Sequence, residues 1–249
     1  MKSEPPLLII AHIADGFDLA LLPWSETAKA RISVNSAKFG EIDMLEIIFD
    51  SMPFLLSRFT ATETKRQFMD EKFEPLFCGL PAAHDSAIAI APRDILASAR
   101  HLPEINHRML LLGKWIGESL AATAAAWMPS RRLASFAYFE EVVSHYLAGG
   151  PFPIALQSSF SEIRQGCYVT SGLQYFAGQE IRLTAPPTYS ASDVSDRLVR
   201  IIDDFTTHGA IEAPACAKGM VAGEILIFSP GDDRDYLDIK IENHTTITG

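Results

Sequence analysis

The sequence predicts an α+β protein in which a mixed or largely antiparallel sheet packs against three main helices. Two observations carry this. Short apolar runs of strand length recur along the chain between Gly, Pro, Asp and Ser residues. Three longer segments instead repeat their apolar residues at steps of three and four. The two kinds of element do not alternate strictly, as a doubly wound parallel sheet would require.

Leu7–Ile13 reads as a buried strand entering the loop Ala14-Asp15-Gly16. Asp18–Arg31 is ambiguous, because Pro23 interrupts it while Ser25 suits a helix cap. Ile42–Asp50 is a strand ending at Ser51-Met52-Pro53. Thr60-Ala61-Thr62-Glu63 fits a capping box, opening a helix to about Lys72. Glu74–Asp85 reads as loop, and Ser86–Ala91 as a strand stopped by Pro92. The first main helix starts at Pro103 or Glu104 and carries the stripe Ile105, Met109, Leu112, Ile116 and Leu120. Ala121–Trp127 extends this helix or, as favoured here, breaks into a short strand. A second helix spans Leu133–Leu147, with Phe139, Val142, Val143 and Tyr146 on one face and Gly149-Gly150 at its end.

Beyond a soft boundary near 149–151, within what reads as one domain, strands predominate: Ile154–Phe160, Cys167–Ser171 and Gln179–Thr184. The third helix has the stripe Val194, Leu198, Ile201, Ile202 and Phe205, a capping box at Ser190 and Asp193, and Gly209 at its end. Glu224–Phe228 and Tyr236–Ile241 flank Ser229-Pro230-Gly231-Asp232-Asp233 as a hairpin, and the tail from Asn243 is expected to fray.

Composition narrows the function classes. The 249 residues carry a net charge of −10, and the one dense basic cluster is Arg131-Arg132. That argues against a broad phosphate-binding face, so no nucleic acid is expected. The apolar run Leu7–Ile10 is too short for a signal-peptide core, and no stretch has the roughly 20 apolar residues that span a bilayer. Cys78, Cys167 and Cys216 are widely spaced and form no CxxC, so they read as buried reduced thiols. A cytoplasmic protein without a membrane association is the expectation.

No catalytic signature stands out. His101, Glu104 and His107 form H-x-x-E-x-x-H, but this spacing fans the side chains around a helix. The pair Glu141 and His145 is a poor second half for a di-iron site, and HExxH is absent. There is no G-x-S-x-G, and Thr62-Glu63-Thr64-Lys65 reads as an exposed helix start rather than a nucleophile motif. Cys78 with His84, or Cys167 with His145, can be drawn as thiol pairs without local support. The glycines Gly149-Gly150, Gly166, Gly172, Gly178, Gly219 and Gly223 match no nucleotide motif. Asp232, Asp233, Asp235 and Asp238 lack the order of a calcium loop, and Asp203-Asp204 reads as a polar helix face. His12, His84, His208 and His244 carry no functional assignment. No metal and no cofactor are expected. Met52-Pro53-Phe54-Leu55-Leu56 and Gly150-Pro151-Phe152-Pro153 are core or interface loops.

Three blocks carry a family resemblance: Ala126-Trp127-Met128-Pro129-Ser130, Pro153-Ile154-Ala155-Leu156, and Thr170-Ser171-Gly172-Leu173-Gln174-Tyr175-Phe176-Ala177-Gly178-Gln179-Glu180-Ile181. Together they resemble a bacterial family known as domain of unknown function 4261. Ala177 separates Phe176 from Gly178, where the family pattern joins Phe and Gly. The resemblance implies a related fold and no particular activity.

The functional expectation is therefore a binding or protein-interaction module with a protein partner. A small-molecule hydrolase is the alternative, and an oligomeric structural protein, with a homodimer as one form, the second. The candidate binding residues are Thr170, Ser171, Gly172 and Glu180. They join two predicted strands, where glycines let backbone approach a ligand and the others supply polar groups.

Overall fold

The computed structural model describes residues 4–14, 16–24, 32–39, 42–70, 72–99 and 102–243. The chain divides into two units, Met1–Leu156 and Gln157–Gly249. Both combine helices with a mixed sheet, so the fold is α+β.

The first unit contains β1 (Leu7–Ala11), β2 (Ile32–Phe39), β3 (Ile42–Phe49), β4 (Met52–Phe59), α1 (Ala61–Asp70), β5 (Glu74–Leu76), β6 (Ser86–Pro92), α2 (Pro103–Ser119), β7 (Ala124–Trp127), β8 (Arg132–Ser135) and α3 (Phe136–Leu147). Its eight-stranded sheet has the order β2-β3-β4-β6-β1-β7-β8-β5. Every pairing is antiparallel except β5 with β8.

Strand β1 lies between β6 and β7 and is covered on both faces, which explains its unbroken apolar run. Leu7 and Ile9 point toward Gly113 of α2, as does Phe139 of α3. Leu8 and Ile10 join Ala87, Ala89, Ala124 and Ala126 beneath Phe68 of α1 and Phe73. Small alanines on the neighbouring strands make room for these two rings, which lie 4.4 Å apart. Burying a Phe side chain contributes roughly 1.5–3 kcal/mol.

Local signals placed several elements. Glu63 accepts the Thr60 N–H, and Thr60 Oγ1 accepts the Glu63 N–H, closing the expected box ahead of α1. Pro103 opens α2, and Ala124–Trp127 is a strand. Gly149, at φ 93°, follows the end of α3.

Elsewhere tertiary pairing overrides the local reading. The described part of 18–31 forms one 3-10 turn at Leu19–Leu21, capped by Asp18; Ser25 lies outside the described residues. Residues 54–59 continue β4, with Pro53 near its start, where a missing N–H is least disruptive. Phe54 and Leu56 are therefore core, and Phe152 packs edge-on against Tyr146. The segment expected as loop contains β5, which pairs with β8. The expected helix from Leu133 begins at Phe136, capped by Ser135, because Leu133 and Ala134 pair with β7.

The chain passes into the second unit within the helical turn α4 (Ile154–Gln157), where a strand was expected. There follow β9 (Ser159–Arg164), β10 (Cys167–Ser171), α5 (Leu173–Ala177), β11 (Glu180–Thr184), α6 (Ala191–His208), β12 (Ala215–Lys218), β13 (Glu224–Pro230) and β14 (Tyr236–Asn243). The six-stranded order is β12-β13-β14-β11-β10-β9, with β11 and β14 parallel and the rest antiparallel. The capping box at Ser190 and Asp193 opens α6, and Gly209, at φ 85°, ends it. The last strand keeps its pairing through Asn243, opposite Glu224.

No helix among the described residues is long and apolar enough to cross a membrane.

Candidate functional site

In the second unit, register aligns one face of the sheet. Ile181 lies beside Leu237, and Leu183 beside Ile239. Ile239 lies beside Phe228, and Ile241 beside Leu226. The same alternation puts Ala217 beside Leu226 and Ala215 beside Phe228. Helix α6 turns its buried stripe of Val194, Leu198, Ile201, Ile202 and Phe205 inward. At β12 the cover runs out: Ala215 and Ala217 are exposed although they share the inner face.

The result is a groove of about 430 Å³ between α6 and the β12–β13 hairpin. Leu226, Phe228 and Leu237 line it from the sheet, and Ile201 and Phe205 from the helix. Arg197, Arg200, Asp204 and His208 of α6, Lys218 of β12 and Glu224 of β13 supply its ionisable groups. The Arg200 and Lys218 side chains make no hydrogen bond or ion pair among the described residues.

One end of the groove is pinned by a buried ion pair. Arg197 Nε lies 3.1 and 3.0 Å from the two Glu224 carboxylate oxygens, and Nη2 donates to Oε2 at 2.6 Å. Arg197 Nη1 donates to the Asp193 carbonyl at 2.8 Å. The Tyr189 hydroxyl lies 2.8 Å from Glu224 Oε2, and the Met220 N–H donates to Oε1 at 3.1 Å. Burial pushes the Glu224 carboxyl up, but Arg197, Tyr189 and the Met220 N–H outweigh it and hold it below the usual glutamate value. Gly219 is confined to glycine because the Glu224 side chain occupies the place of a Cβ.

Both members of this pair were visible as exceptions in the sequence. Arg197 interrupts the apolar stripe of α6, and Glu224 starts an alternation that continues with Leu226 and Phe228. The groove itself has no local signal in the sequence, which predicts no element between Gly209 and Glu224, where β12 forms.

Three of the residues expected to bind, Thr170, Gly172 and Glu180, are brought together by hydrogen bonds to the Glu180 carboxylate. Glu180 Oε1 accepts the Gly172 and Gln174 N–H groups at 2.7 and 3.0 Å, and Oε2 accepts the Thr170 hydroxyl at 2.8 Å. Thr170 Oγ1 accepts the Ile181 N–H at 2.7 Å. The carboxylate thus caps α5, whose N-cap Gly172 has φ 102° and no side chain to do so. Ser171 alternates to the other face, opposite Ser159.

The other candidate constellations separate. His101 and His244 lie outside the described residues. His107 packs edge-on against Tyr146, and burial, with Arg108 beside it, lowers its pKa despite Glu104. At the start of α1, Thr62, Glu63 and Lys65 are exposed, while Thr64 is buried on the inner side of the helix. Cys78 donates to the Leu133 carbonyl, and Cys167 and His145 belong to different units. Cys167 is buried, Cys78 half-buried, and Cys216 exposed on β12. Asp238 pairs with Arg182 at 3.1 Å, while Asp232, Asp233 and Asp235 are exposed in the final turn.

No protein-family profile, curated protein or solved structure matches the chain.

Proposed function

We propose that the protein is a binding module whose site is the groove between α6 and the β12–β13 hairpin. The observation that supports this reading is the combination of an apolar floor with Arg200 and Lys218 unpaired among the described residues. Apolar lining with a few convergent polar groups is the usual make-up of a ligand site, and the volume falls in the usual range. The occupant that fits is a peptide segment of a partner protein, with large apolar side chains for the floor and a carboxylate for the two cations. The reading places the protein in the cytoplasm, in keeping with three unpaired cysteines. It is independent of the family resemblance, which implies no activity.

A displayed random-peptide library, selected in parallel on the wild-type chain and on Arg200→Glu/Lys218→Glu, tests it. The expected result is enrichment, on the wild type alone, of peptides joining Leu, Ile or Phe to Asp or Glu. Their affinity, measured by calorimetry, falls at least about tenfold on the double variant, as losing charge complementarity implies. Equal binding to both proteins, or no enrichment on the wild type, would sink the proposal.

A further inference from the structure

The first unit contains a second constellation, unrelated to the groove. His12, Asp85 and His84 each offer a ligand atom, and these atoms lie within 4.8 Å of one another. Among the described residues no other group of three His, Cys, Asp or Glu side chains meets that distance.

Strand pairing creates the cluster. The β1–β6 register runs from Leu7 opposite Ile90 to Ala11 opposite Ser86. One further step brings His12 opposite Asp85, and opposed residues of an antiparallel pair share a face. The chain enters β6 through a tight turn in which the Asp85 N–H donates to the Ala82 carbonyl at 3.0 Å. That turn carries His84 to the same place, with its ring 5.0 Å from that of His12 and edge-on to it.

The carboxylate is held in place by the backbone, and the two imidazoles are accessible. His12 is flanked by buried Ala11 and Ile13, and Arg58 Nη2 donates to the Ile13 carbonyl at 3.4 Å. Asp85 is buried, and its Oδ2 accepts the Ala82 N–H at 2.8 Å. This leaves Oδ1 facing His84 Nε2 at 3.8 Å. A carboxylate oriented by a backbone N–H is the kind of outer-shell support that metal ligands use. Both imidazoles are exposed, so rotation about their side-chain bonds brings their nitrogens in.

We infer that His12, His84 and Asp85 form a binding site for a first-row transition dication of the zinc class. Two imidazoles favour zinc, cobalt, nickel or copper over calcium and magnesium, which take oxygen ligands. A tetrahedral zinc with bonds of about 2.0–2.2 Å needs ligand atoms about 3.3 Å apart, a closure small enough for side-chain rotation. Three protein ligands at an exposed strand end leave the fourth position to water or another ligand, the arrangement of reactive rather than purely structural zinc.

Calorimetric titration of the full chain with Zn²⁺, and visible absorption with Co²⁺, test the inference. The expected result is one site per chain with a tetrahedral cobalt spectrum. His84→Ala and Asp85→Asn should each weaken zinc at least about tenfold. The Asn variant keeps an acceptor for the Ala82 N–H, so its loss reports the carboxylate charge rather than unfolding. Zinc affinity unchanged in His12→Ala/His84→Ala, with native circular dichroism, would overturn the site. So would the absence of zinc binding by the wild-type chain.

Discussion

Arg197 and Glu224 join helix α6 to the first residue of strand β13 through a buried, two-pronged ion pair. Arg197 also lies under the Tyr189 ring, with its guanidinium carbon 4.4 Å from the ring centre. The pair fixes the wall of the groove, because Glu224 also holds the Met220 N–H of the adjoining turn. Its value lies in geometry: a buried pair repays its own desolvation only when every donor and acceptor is satisfied.

Breaking the pair is therefore expected to be costly. Glu224→Ala strands a buried guanidinium and should destabilise the second unit by about 3–5 kcal/mol. Arg197→Met/Glu224→Leu, which removes both charges, should lose much less. Amide exchange on β13 and β14 measures both.

The same pair sets an acid limit. The Glu224 carboxyl is lower in the folded state than its ordinary 4.5, so its contribution is complete above that value. It declines as pH falls from there through the lower, folded value. Urea midpoints followed by circular dichroism should drop more steeply below pH 4.5 for the wild type than for Glu224→Gln.

Gly117 of α2 faces Phe136, and an added Cβ would run into the ring. Alanine in a helix interior ordinarily gains about 1 kcal/mol over glycine. Overpacking a core costs about 1–3 kcal/mol, so Gly117→Ala should lower stability despite the better propensity. Trp24, Trp115 and Trp127 all lie in the first unit, so tryptophan fluorescence during urea unfolding reports this directly.

The three thiols should react at separate rates. Cys216 is exposed and should titrate first with a disulfide reagent. Cys78 is half-buried, and burial pushes its thiol pKa up, leaving less thiolate at neutral pH. Cys167 should need unfolding. Cys216→Ser should remove the fast phase alone; a fast phase that survives would show a second accessible thiol.

Filling the groove separates binding from stability. Ala217 is exposed and lines the groove, so Ala217→Phe should abolish peptide binding while leaving the unfolding free energy in urea within about 0.5 kcal/mol of wild type. Peptide binding retained in that variant would place the site elsewhere.

The parts legible in advance are those whose cause is local. The boxes at Thr60 and Ser190 close over three residues, and the stripe of α6 recurs every turn. Such signals sit within the reach of one helical turn. Short edge elements were not legible: β5 and β12 are strands because β8 and β13 offer them partners. The sequence groups Thr170, Ser171, Gly172 and Glu180 between two strands, but that the Glu180 carboxylate caps α5 is decided by the fold.

Taken alone, the sequence determined the α+β class, the three main helices and the strongly buried first strand. Periodicity and capping are written into neighbouring residues. Tertiary structure alone decided the open inner face of β12, the Arg197–Glu224 pair and the meeting of His12 with His84 and Asp85. Those depend on which distant strands pair and in what register, and a single shift of register would turn each side chain to the opposite face.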